Sequence, residues 1–371
     1  MNSDLIVIKS EIMDLTKFTI KQLREICQHL GYKPGSNFNK KELIQYTYGA
    51  IIEKNNGINR QEQIISSLTI TPKWYQDDQN QWLEHLITKG WSIVPIPDFD
   101  TSKYVNDFWN FLESCHPLFK RNDPKTWTND KIPILLHGIF KQYIGHTKWI
   151  WEIREKCIPI FEQIWGTKDL LCSFDGACFL KPTTKDKLSK MKQWIHCDQG
   201  RFNMEFCCIQ GLVNLLDNGP NDGGLVLVED SQKYFTDYLE RHPTDGIKWF
   251  KVNMNDPNIS QLPIIKLCAP AGHMILWDSR VFHCNIQPTG DTPRMCTYVS
   301  MGPRNGATTE ELVNRINWYE KGSMSSHWVY GPWMTENAKD PHSYGGQNNH
   351  PDELEIAVLN PVQRRLVGYD Q

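Results

Sequence analysis

The sequence predicts a mainly β domain with flanking helices, preceded by a small helical domain. Beyond Leu170 the chain consists of short apolar β-type runs separated by Gly, Asn, Asp and Pro, a pattern typical of an antiparallel sandwich or barrel. Before that residue, longer segments show the apolar spacing of helices. The chain has 371 residues, of which 40% are apolar and 14 are tryptophan, enough for one large globular core and one small domain.

Charge and cysteine content narrow the function classes. A net charge of −3 gives no overall field that attracts nucleic acid or anionic membranes. The eleven cysteines include no C-x-x-C pair, which favours reduced thiols over a disulfide framework. No segment approaches the ~18 uncharged apolar residues of a membrane helix, and the first residues lack a signal-peptide pattern. We therefore expect an intracellular protein, cytoplasmic or nuclear, that is not secreted and has no membrane partner.

Residues 1–54 predict two short helices joined by a turn. Thr19 with Gln22, and Asn39 with Glu42, have the spacing of helix capping boxes. The turn lies at Lys33-Pro34-Gly35-Ser36. Between residues 14 and 54 there are seven basic and four acidic residues, so this segment is locally positive within an acidic chain.

The N-terminal segment resembles the SAP module, a small helical domain that binds DNA or RNA. The resemblance lies in Phe18-Thr19-Ile20-Lys21-Gln22-Leu23-Arg24 and Asn39-Lys40-Lys41-Glu42-Leu43, although the loop between them is longer than usual. It implies DNA or RNA as a partner of residues 14–54. The alternative is a solvated helical hairpin that docks on the rest of the chain or on another protein.

The polar composition of residues 55–71 predicts a linker. Residues 72–371 are the expected main domain, and residues 304–371 are its expected helical C-terminal extension. Helical patterns cover Gln79–Lys89, Tyr104–Phe119 and the stretch with Trp149, Trp151 and Trp165, whose indoles we expect in the core. The predicted strands are Gly90–Pro95, Phe206–Leu216, Leu225–Val228, Pro263–Leu267, Met274–Trp277 and Met295–Ser300.

A possible metal site lies in the β-rich half. In a strand, residues two apart project from the same face, so His196 and Asp198 can reach one ion. His283 follows a later apolar run and is a candidate third ligand. Two imidazoles and one carboxylate on one face of iron are the arrangement of non-haem Fe(II) oxygenases. Arg294 lies eleven residues after His283, where its guanidinium can form a bidentate clamp on a carboxylate.

The His-x-Asp pattern alone is a weak signal, and the chain contains a second match at His350-Pro351-Asp352. That match has proline at its centre and follows a Gly/Asn-rich stretch, so we interpret it as a surface turn. Only the first match has a later histidine and an arginine after it.

The order of these residues resembles the phytanoyl-CoA dioxygenase family of 2-oxoglutarate oxygenases, over about Gly90 to Pro303. The resemblance includes Gly223-Gly224-Leu225-Val226-Leu227-Val228-Glu229-Asp230-Ser231-Gln232-Lys233, which lies between the first motif and His283. It implies a double-stranded β-helix (jelly-roll, cupin-like) core, with Fe(II) on His196, Asp198 and His283 and 2-oxoglutarate on Arg294. It also implies hydroxylation of a C–H bond with release of succinate and CO2, and the presence of Asp198 favours hydroxylation over halogenation.

Two segments depart from the family pattern, at Glu229–Lys233 and at Gly211-Leu212-Val213, so substrate contacts there do not carry over. Gln210, Asn214 and Asn285 are polar groups on the expected inner strands. We place Gln210 and Asn285 with Arg294 as cofactor-binding residues; the alternative is that they satisfy buried backbone groups. No catalytic residue is predicted beyond the metal centre.

Other conspicuous residues are interpreted as structural. For Glu229, Asp230 and Asp278 we expect solvation or strand capping, and for Arg280 an internal ion pair. Five isolated histidines are expected to have structural or surface roles: His137, His146, His242, His273 and His327. The competing function is a catalytically idle jelly roll that acts as a nucleic-acid-binding or scaffolding module through its N-terminus. A third hypothesis joins the two, with the N-terminal module delivering an oxygenase to DNA, RNA or a chromatin-like protein.

Overall fold

The computed structural model describes residues 17–29, 39–40, 43–44, 47, 68–74, 81–128, 130–132, 135–136, 138–140, 144–189, 194–201, 203–244, 249–331, 334–337 and 356–370. The predicted surface turn at His350-Pro351-Asp352, His137, the N-terminal turn at residues 33–36 and most of the predicted linker lie outside this part of the chain. Within the described residues, no helix is long and apolar enough to cross a membrane.

Helices flank the sheets and strands make the core. The helices are α1 Ile20–His29, α2 Trp82–Lys89, α3 Ser102–Cys115, α4 Lys148–Trp165, α5 Lys185–Ser189, α6 Phe235–Arg241, α7 Thr309–Glu320 and α8 Pro361–Val367. The strands of the first half are β1 Ile70–Trp74, β2 Trp91–Pro95, β3 Leu135–Leu136, β4 Ile139–Phe140, β5 Leu170–Cys172, β6 Ala177–Leu180, β7 His196–Cys197 and β8 Ile209–Asn214. Those of the second half are β9 Gly224–Val228, β10 Phe250–Lys251, β11 Ile264–Cys268, β12 His273–Asp278, β13 His283–Ile286, β14 Arg294–Tyr298, β15 Met301–Pro303, β16 Met324–Ser325 and β17 Glu336–Asn337.

Two facing sheets form the main domain. The first has the strand order β1-β11-β9-β13-β7-β10, and the second has the order β2-β12-β8-β14-β6-β4-β3. From β6 to β9, and again from β11 to β14, consecutive strands lie in alternate sheets. Pairing is antiparallel except where β1 runs parallel to β11. This is a double-stranded β-helix with flanking helices, so the predicted fold class is confirmed.

The central strands β8, β9, β11, β13 and β14 bury both of their faces, because their side chains alternate between the interior of the jelly roll and its helical or loop cover. The interior layer contains Leu225 and Leu227 from the first sheet and Leu212 and Ile275 from the second. The outer face of the second sheet packs on α3 and α4 through Val213, Met274, Met295 and their apolar neighbours. The outer face of the first sheet packs on α6 through Val226, Val228, Phe235 and Tyr238.

Helix ends follow the sequence signals. Gly90 ends α2 in a left-handed conformation with φ of 80°, and a Cβ there would lie 2.7 Å from atoms of Gln232 and Val281. Thr308 and Glu311 form a capping box at the start of α7, as Asn360 and Gln363 do for α8. These caps satisfy backbone N–H groups that a helix start leaves unpaired.

The predicted first helix is present as α1, and its capping box is formed. The backbone N–H of Thr19 donates to Oε1 of Gln22 at 2.9 Å, and Gln22 donates back to Oγ1 of Thr19 at 3.3 Å. Leu23 and Cys27 are fully buried, as are Leu43 and Thr47 from the second predicted helix. Sγ of Cys27 lies 3.2 Å from Oγ1 of Thr47, so these two segments contact each other.

The predicted elements of the main domain are found with shifted ends. The strand predicted over Gly90–Pro95 is β2, and the helix predicted over Tyr104–Phe119 is α3, which ends at Cys115. Trp149 and Trp151 are buried on α4, as expected for core residues. Ile70 and Thr71, which the sequence interpretation assigns to the linker, pair with Ile264 and Ile265 in the first sheet. All eleven cysteines are free thiols, in agreement with the expectation of a reduced protein.

Candidate metal centre and co-substrate pocket

The three predicted metal ligands are brought together by strand register. β7 is only two residues long and lies between β13 and β10 in the first sheet. His196 on β7 is directly opposite His283, the first residue of β13, and residues opposite each other in antiparallel strands project from the same face. Asp198 follows β7 by one residue and therefore points to that face as well. The sequence interpretation placed His283 at the end of the preceding strand, whereas it begins a new one.

The ligand atoms converge on one point. Nε2 of His196 lies 3.5 Å from Oδ1 of Asp198, and Nε2 of His283 lies 3.3 Å from Oδ2. One ligand atom from each of the three residues lies within 4.8 Å of the others. The side chains are 7%, 16% and 5% exposed for His196, Asp198 and His283, so the site opens to solvent mainly on the side of the carboxylate.

Hydrogen bonds fix both imidazoles in the orientation that a metal requires. Nδ1 of His196 donates to the carbonyl of Trp194 at 3.1 Å, and Nδ1 of His283 donates to the carbonyl of Val281 at 2.8 Å. A carbonyl can only accept, so in each neutral ring the proton is on Nδ1 and the lone pair is on Nε2. Metal-ligating histidines are held in this way by a second hydrogen bond. The donor set therefore fits a divalent metal such as Fe(II).

Electrostatics keep the ligands in their binding states. Burial acts to raise the pKa of the Asp198 carboxyl, but the charge that His196 carries when it is protonated, and the hydrogen bonds that the His196 and His283 rings donate in that form, outweigh burial and hold the pKa well below its usual range. Burial and the neighbouring His196 lower the pKa of His283. The carboxylate therefore stays ionised and the His283 imidazole stays neutral at neutral pH. Nε2 of Gln210 donates to Oδ2 of Asp198 at 3.1 Å and orients this carboxylate.

Arg294 begins β14 and lies in the interior of the jelly roll, 3% exposed. Its Nη1 donates to Oδ1 of Asn285 at 3.0 Å, while Nε and Nη2 have no hydrogen-bond partner among the described residues. In the same part of the chain, the Tyr298 hydroxyl and the indole N–H groups of Trp91 and Trp277 are also buried without a hydrogen-bond partner. Buried donors normally have hydrogen-bond acceptors, so this layer can bind a group that carries several acceptor atoms. A dicarboxylate such as 2-oxoglutarate fits these donors.

The three predicted pocket amides all lie on the interior face, and their contacts differ. Gln210 contacts the metal carboxylate, and Asn285 contacts Arg294. Asn214 donates to the backbone carbonyl of Ala269 at 3.3 Å, which is the structural role given as the alternative. The assignment of Gln210 and Asn285 to cofactor binding stays a prediction, now with the specific contact that each makes.

Several site residues were not predicted from the sequence. Tyr298 lies four residues after Arg294 on β14 and so shares its face, a signal that the period of a strand carries. The indole of Trp194 stacks on His196 with ring centroids 4.8 Å apart and an interplanar angle of 12°. His327, interpreted as isolated, lies close enough to contribute to the lowered pKa of Asp198. Only the folded chain brings His327 near the site.

The charged residues expected to be structural make ion pairs. Glu229 accepts from Lys73 at 2.7 Å, and Asp230 binds both Lys89 and Lys233. Arg280 binds Asp278 through Nε and Nη2, the nearest contact being 2.6 Å. The Glu229–Lys233 segment, which departs from the family pattern, also contacts the residue before β13, because the Ser231 hydroxyl accepts from the backbone N–H of Phe282.

The remaining predicted structural histidines also have partners. Nε2 of His146 donates to the carbonyl of Ser323 at 2.7 Å, and His242 binds Asp256 at 2.7 Å. His273 contacts the carbonyl of Ala271. These three histidines are accounted for by structure.

No family model matches the chain. In sequence it is 29% identical over 307 residues to "Ava biosynthesis cluster protein O" of Aspergillus versicolor, an alignment that covers 76% of this chain and 94% of that protein. It is 21% identical over 318 residues to "Putative phytanoyl-CoA dioxygenase" of Dictyostelium discoideum, covering 74% of this chain and 82% of that protein. The predicted resemblance to phytanoyl-CoA dioxygenases is thereby confirmed.

Solved structures overlap with parts of the chain. The epimerase SnoN, in complex with Fe3+, alpha ketoglutarate and nogalamycin RO, has a TM-score of 0.43 at 13% identity and covers 61% of this chain and 84% of its own. The alpha ketoglutarate-dependent carbocyclase SnoK has a TM-score of 0.42 at 13% identity and covers 77% and 97%. HygX from Streptomyces hygroscopicus, with nickel and 2-oxoglutarate bound, has a TM-score of 0.40 at 13% identity and covers 60% and 86%.

Proposed function

We propose that the protein is an Fe(II)- and 2-oxoglutarate-dependent dioxygenase that hydroxylates a C–H bond of its substrate and releases succinate and CO2. One observation carries the proposal: His196, Asp198 and His283 converge at one end of a jelly-roll interior that also contains Arg294 with unpaired donors. This chemistry requires a metal triad and a buried guanidinium that is open to the co-substrate carboxylate, and Arg294 has no carboxylate partner among the residues that the structure describes.

The charges of the pocket match the proposed ligands. His196, Asp198 and His283 would hold the iron, and with two neutral imidazoles and one carboxylate the occupied centre keeps one positive charge. Arg294 adds a second positive charge, and the sum balances the two carboxylates of 2-oxoglutarate. The chemistry supplied by iron and 2-oxoglutarate when bound is the oxidative decarboxylation of the co-substrate, coupled to oxidation of the substrate.

The protein's own residues supply orientation and a dry cavity. Arg294 would clamp the far carboxylate of the co-substrate by charge-assisted hydrogen bonds, while Asn285 holds the guanidinium in place. The apolar interior layer, which includes Leu212, Leu227 and Ile275, excludes water from this pocket. Asp198 occupies the position whose carboxylate favours hydroxylation over halogenation.

The first test is an anaerobic titration with Fe(II), or with Co(II) as a surrogate, followed by an assay of succinate formed from 2-oxoglutarate with and without candidate substrates. Asp198→Ala and Arg294→Ala are the informative variants. We expect metal binding and succinate formation by the wild type, loss of metal binding in the first variant, and metal binding without succinate formation in the second.

A wild-type protein that binds no metal would overturn the proposal and favour the alternative of an idle jelly roll. Stoichiometric metal binding with no succinate formation, under conditions where a panel of substrates is supplied, would favour that alternative too. Thr297→Ala is a suitable control variant, because Thr297 lies on β14 beside these residues but is not part of the interior layer.

We also propose that residues 14–54 bind DNA or RNA and deliver the oxygenase to it. The formed capping box of α1 and the buried contact between Cys27 and Thr47 support a helical hairpin of the SAP type. Lys21 projects from this helix with its side chain 87% exposed, as a residue that binds phosphate would.

A further inference from the structure

Two cysteines face each other in the interior of the jelly roll. Cys178 on β6 is directly opposite Cys296 on β14, and both thiols are fully buried in the interior apolar layer. Arg294 lies two residues before Cys296 on β14 and so shares its face. Nη1 of Arg294 donates to Sγ of Cys178 at 3.9 Å. The two thiols therefore lie in the part of the pocket that would hold the far carboxylate of 2-oxoglutarate.

The strand register places these cysteines at the spacing of a strained disulfide. The backbone N–H of Tyr298 donates to the carbonyl of Gly176, two residues further along both strands, so Cys178 and Cys296 also form a hydrogen-bonded pair of the ladder. The Cα atoms of such a pair are about 5.5 Å apart, which is within the range of disulfides. The Cβ atoms of opposed residues are about 4.5–5.5 Å apart, whereas a disulfide favours about 3.5–4.5 Å. A bond between the two thiols can therefore form under strain, and strained disulfides are readily reduced.

The surroundings give the two thiols different reactivity. Burial acts to raise the pKa of the Cys178 thiol, but a hydrogen bond from Cys296 and the charge of Arg294 outweigh burial and lower the pKa below its usual value. Burial and the neighbouring Cys178 raise the pKa of the Cys296 thiol. The thiolate is the reactive form of cysteine, so Cys178 is the nucleophile of the pair and Cys296 is the second thiol.

We propose that Cys178 and Cys296 are an oxidative modification site, at which hydrogen peroxide forms a reversible disulfide when the co-substrate pocket is empty and 2-oxoglutarate protects the thiols when it is bound. This inference rests on the proposed function, because a pocket that admits 2-oxoglutarate to Arg294 also admits the smaller peroxide to the neighbouring thiols.

The reaction has two steps. The Cys178 thiolate attacks one peroxide oxygen, the O–O bond breaks, and a sulfenic acid and one water form. The Cys296 sulfur then attacks the sulfenic sulfur, the S–S bond forms, and the hydroxyl leaves as a second water. The two thiols lose two electrons and two protons, and the peroxide takes up both.

The disulfide changes the pocket next to Arg294. It draws β6 and β14 together at the position two residues from the guanidinium, so the guanidinium loses its alignment with the co-substrate carboxylate. We expect the oxidised protein to bind 2-oxoglutarate about tenfold more weakly, as when one charge-assisted hydrogen bond is lost.

The test uses the full-length protein loaded with Zn(II), a metal without redox chemistry, so that peroxide does not react at iron. The protein is treated with hydrogen peroxide with and without saturating 2-oxoglutarate, and calorimetry measures 2-oxoglutarate binding before and after treatment. Peptide mapping without reductant identifies the bond, with fragmentation to separate Cys178 from Cys172, because no lysine or arginine lies between them. We expect the Cys178–Cys296 bond only in the sample without 2-oxoglutarate, together with weaker binding that dithiothreitol restores.

The variants assign a role to each thiol. Cys296→Ala should form no disulfide and should keep Cys178 as a sulfenic acid, which dimedone traps. Cys178→Ala should leave Cys296 unmodified, because the nucleophile is removed. Cys115→Ala is the matched control, since Cys115 is a buried cysteine on α3 whose thiol donates to the carbonyl of Phe111 at 3.1 Å, and it should form the bond as the wild type does. The wild-type peptide map tests the site even where a variant does not fold.

The possible failures are distinguishable. If the reduced protein binds 2-oxoglutarate but peroxide forms no Cys178–Cys296 bond, or forms it equally with and without 2-oxoglutarate, the modification site is wrong and the proposed oxygenase stands. A bond that leaves the affinity for 2-oxoglutarate unchanged would overturn the site in the same way. If the reduced protein does not bind 2-oxoglutarate at all, the proposed function fails and the protected site fails with it.

Discussion

Asn285 joins the two halves of the site: it lies two residues after His283 on β13 and accepts a hydrogen bond of 3.0 Å from Nη1 of Arg294 on β14. β13 and β14 belong to different sheets. The position of the guanidinium relative to the metal ligands therefore depends on one contact across the interior. Because both side chains are buried, water cannot replace this contact if it is removed.

Asn285→Ala should raise the KM for 2-oxoglutarate about tenfold or more, since a hydrogen bond to a charged group contributes ~1.5–3 kcal/mol. The Fe(II) affinity should stay the same, because Asn285 is not a ligand. The measurement is succinate formation as a function of 2-oxoglutarate concentration, with metal affinity determined separately. Asn214→Ala is the control, because it removes another interior amide, whose side chain donates to the backbone carbonyl of Ala269 and not to Arg294. An unchanged KM in Asn285→Ala would show that Arg294 needs no support.

Gln210→Leu should weaken Fe(II) binding by about tenfold, because groups that hydrogen-bond to metal ligands typically contribute that much or more. Leucine keeps the volume of the glutamine but removes the donor to Oδ2 of Asp198. Competition titration with a chelator under anaerobic conditions measures the affinity. The KM for 2-oxoglutarate, compared at saturating metal, should change little. A variant that loses co-substrate affinity but binds iron normally would place Gln210 on the co-substrate instead.

The nucleic-acid proposal predicts a steep salt dependence. Binding through phosphate contacts weakens linearly on a log–log scale with salt because counterions are released. Lys21→Glu should weaken the binding of the full-length protein to a DNA duplex or an RNA strand regardless of sequence, whereas Lys103→Glu, at an exposed site on α3, should not. Fluorescence anisotropy at several salt concentrations measures both effects. Binding that is independent of salt, or absent at low salt, would leave the hairpin as a protein-docking segment.

The parts of the site that sequence predicts are those set by local period and spacing. His196 and Asp198 are two residues apart in extended backbone, so their shared orientation follows from the geometry of a strand. Arg294 opens an apolar run, which indicates that it begins a strand. The interior placement of Gln210 and Asn285 follows from the same alternation. Apolar runs bounded by Gly and Pro also indicate where strands such as β2 and β9 lie, and each of these two strands differs from its predicted bounds by one residue.

The parts that sequence does not predict depend on pairing between distant strands. Nothing local to Lys251 indicates that it is opposite His196, and nothing in Ile70 indicates a parallel pairing with Ile264. His327 lies 131 residues after His196 and approaches Asp198 only through the fold. Many short strands have similar apolar patterns, so the sequence of one strand does not identify its partner. The register of strand pairs, and the approach of residues distant in sequence, depend on the packing of the whole core.

Acid should reduce the stability that Asp256 provides. Its side chain is 1% exposed and binds Arg241 at 3.1 Å and His242 at 2.7 Å. Burial acts to raise the pKa of Asp256, but these hydrogen bonds outweigh it and lower the pKa below its usual 3.8. A carboxyl with a lower pKa in the folded state stabilises the protein above the unfolded-state pKa, and this contribution is lost as pH falls through the folded-state value.

Asp256→Asn should therefore lower the thermal midpoint by several degrees at pH 7, and the difference from wild type should narrow as the pH falls below 3.8. Asp237→Asn is the matched control, since Asp237 pairs with the same Arg241 but its side chain is 63% exposed, so its effect should be small. Thermal unfolding followed by circular dichroism between pH 7 and pH 3 makes the comparison. A difference that stays constant over this range would contradict the assignment.

Arg315 should be a major determinant of stability in the C-terminal part of the fold. It is fully buried on α7, has no carboxylate partner in the described part of the chain, and donates to the backbone carbonyls of Cys172, Val329, Leu366 and Val367. The last two carbonyls are at the end of α8, where a positive charge is also favoured by the helix dipole. One side chain therefore joins β5, α7, α8 and the segment after β16.

Arg315→Met should lower the thermal midpoint by about 5–10 °C, because removing a charged donor leaves buried carbonyls unsatisfied at a cost of ~1–3 kcal/mol each. Removing the buried charge recovers some desolvation free energy, but four orphaned acceptors outweigh it. Arg365→Met removes a nearby arginine whose ion pair with Asp169 is exposed, at 41% and 49% of the two side chains, and should change the midpoint by about a degree or less. Equal effects of the two substitutions would show that the carbonyl contacts of Arg315 contribute no more than a surface ion pair.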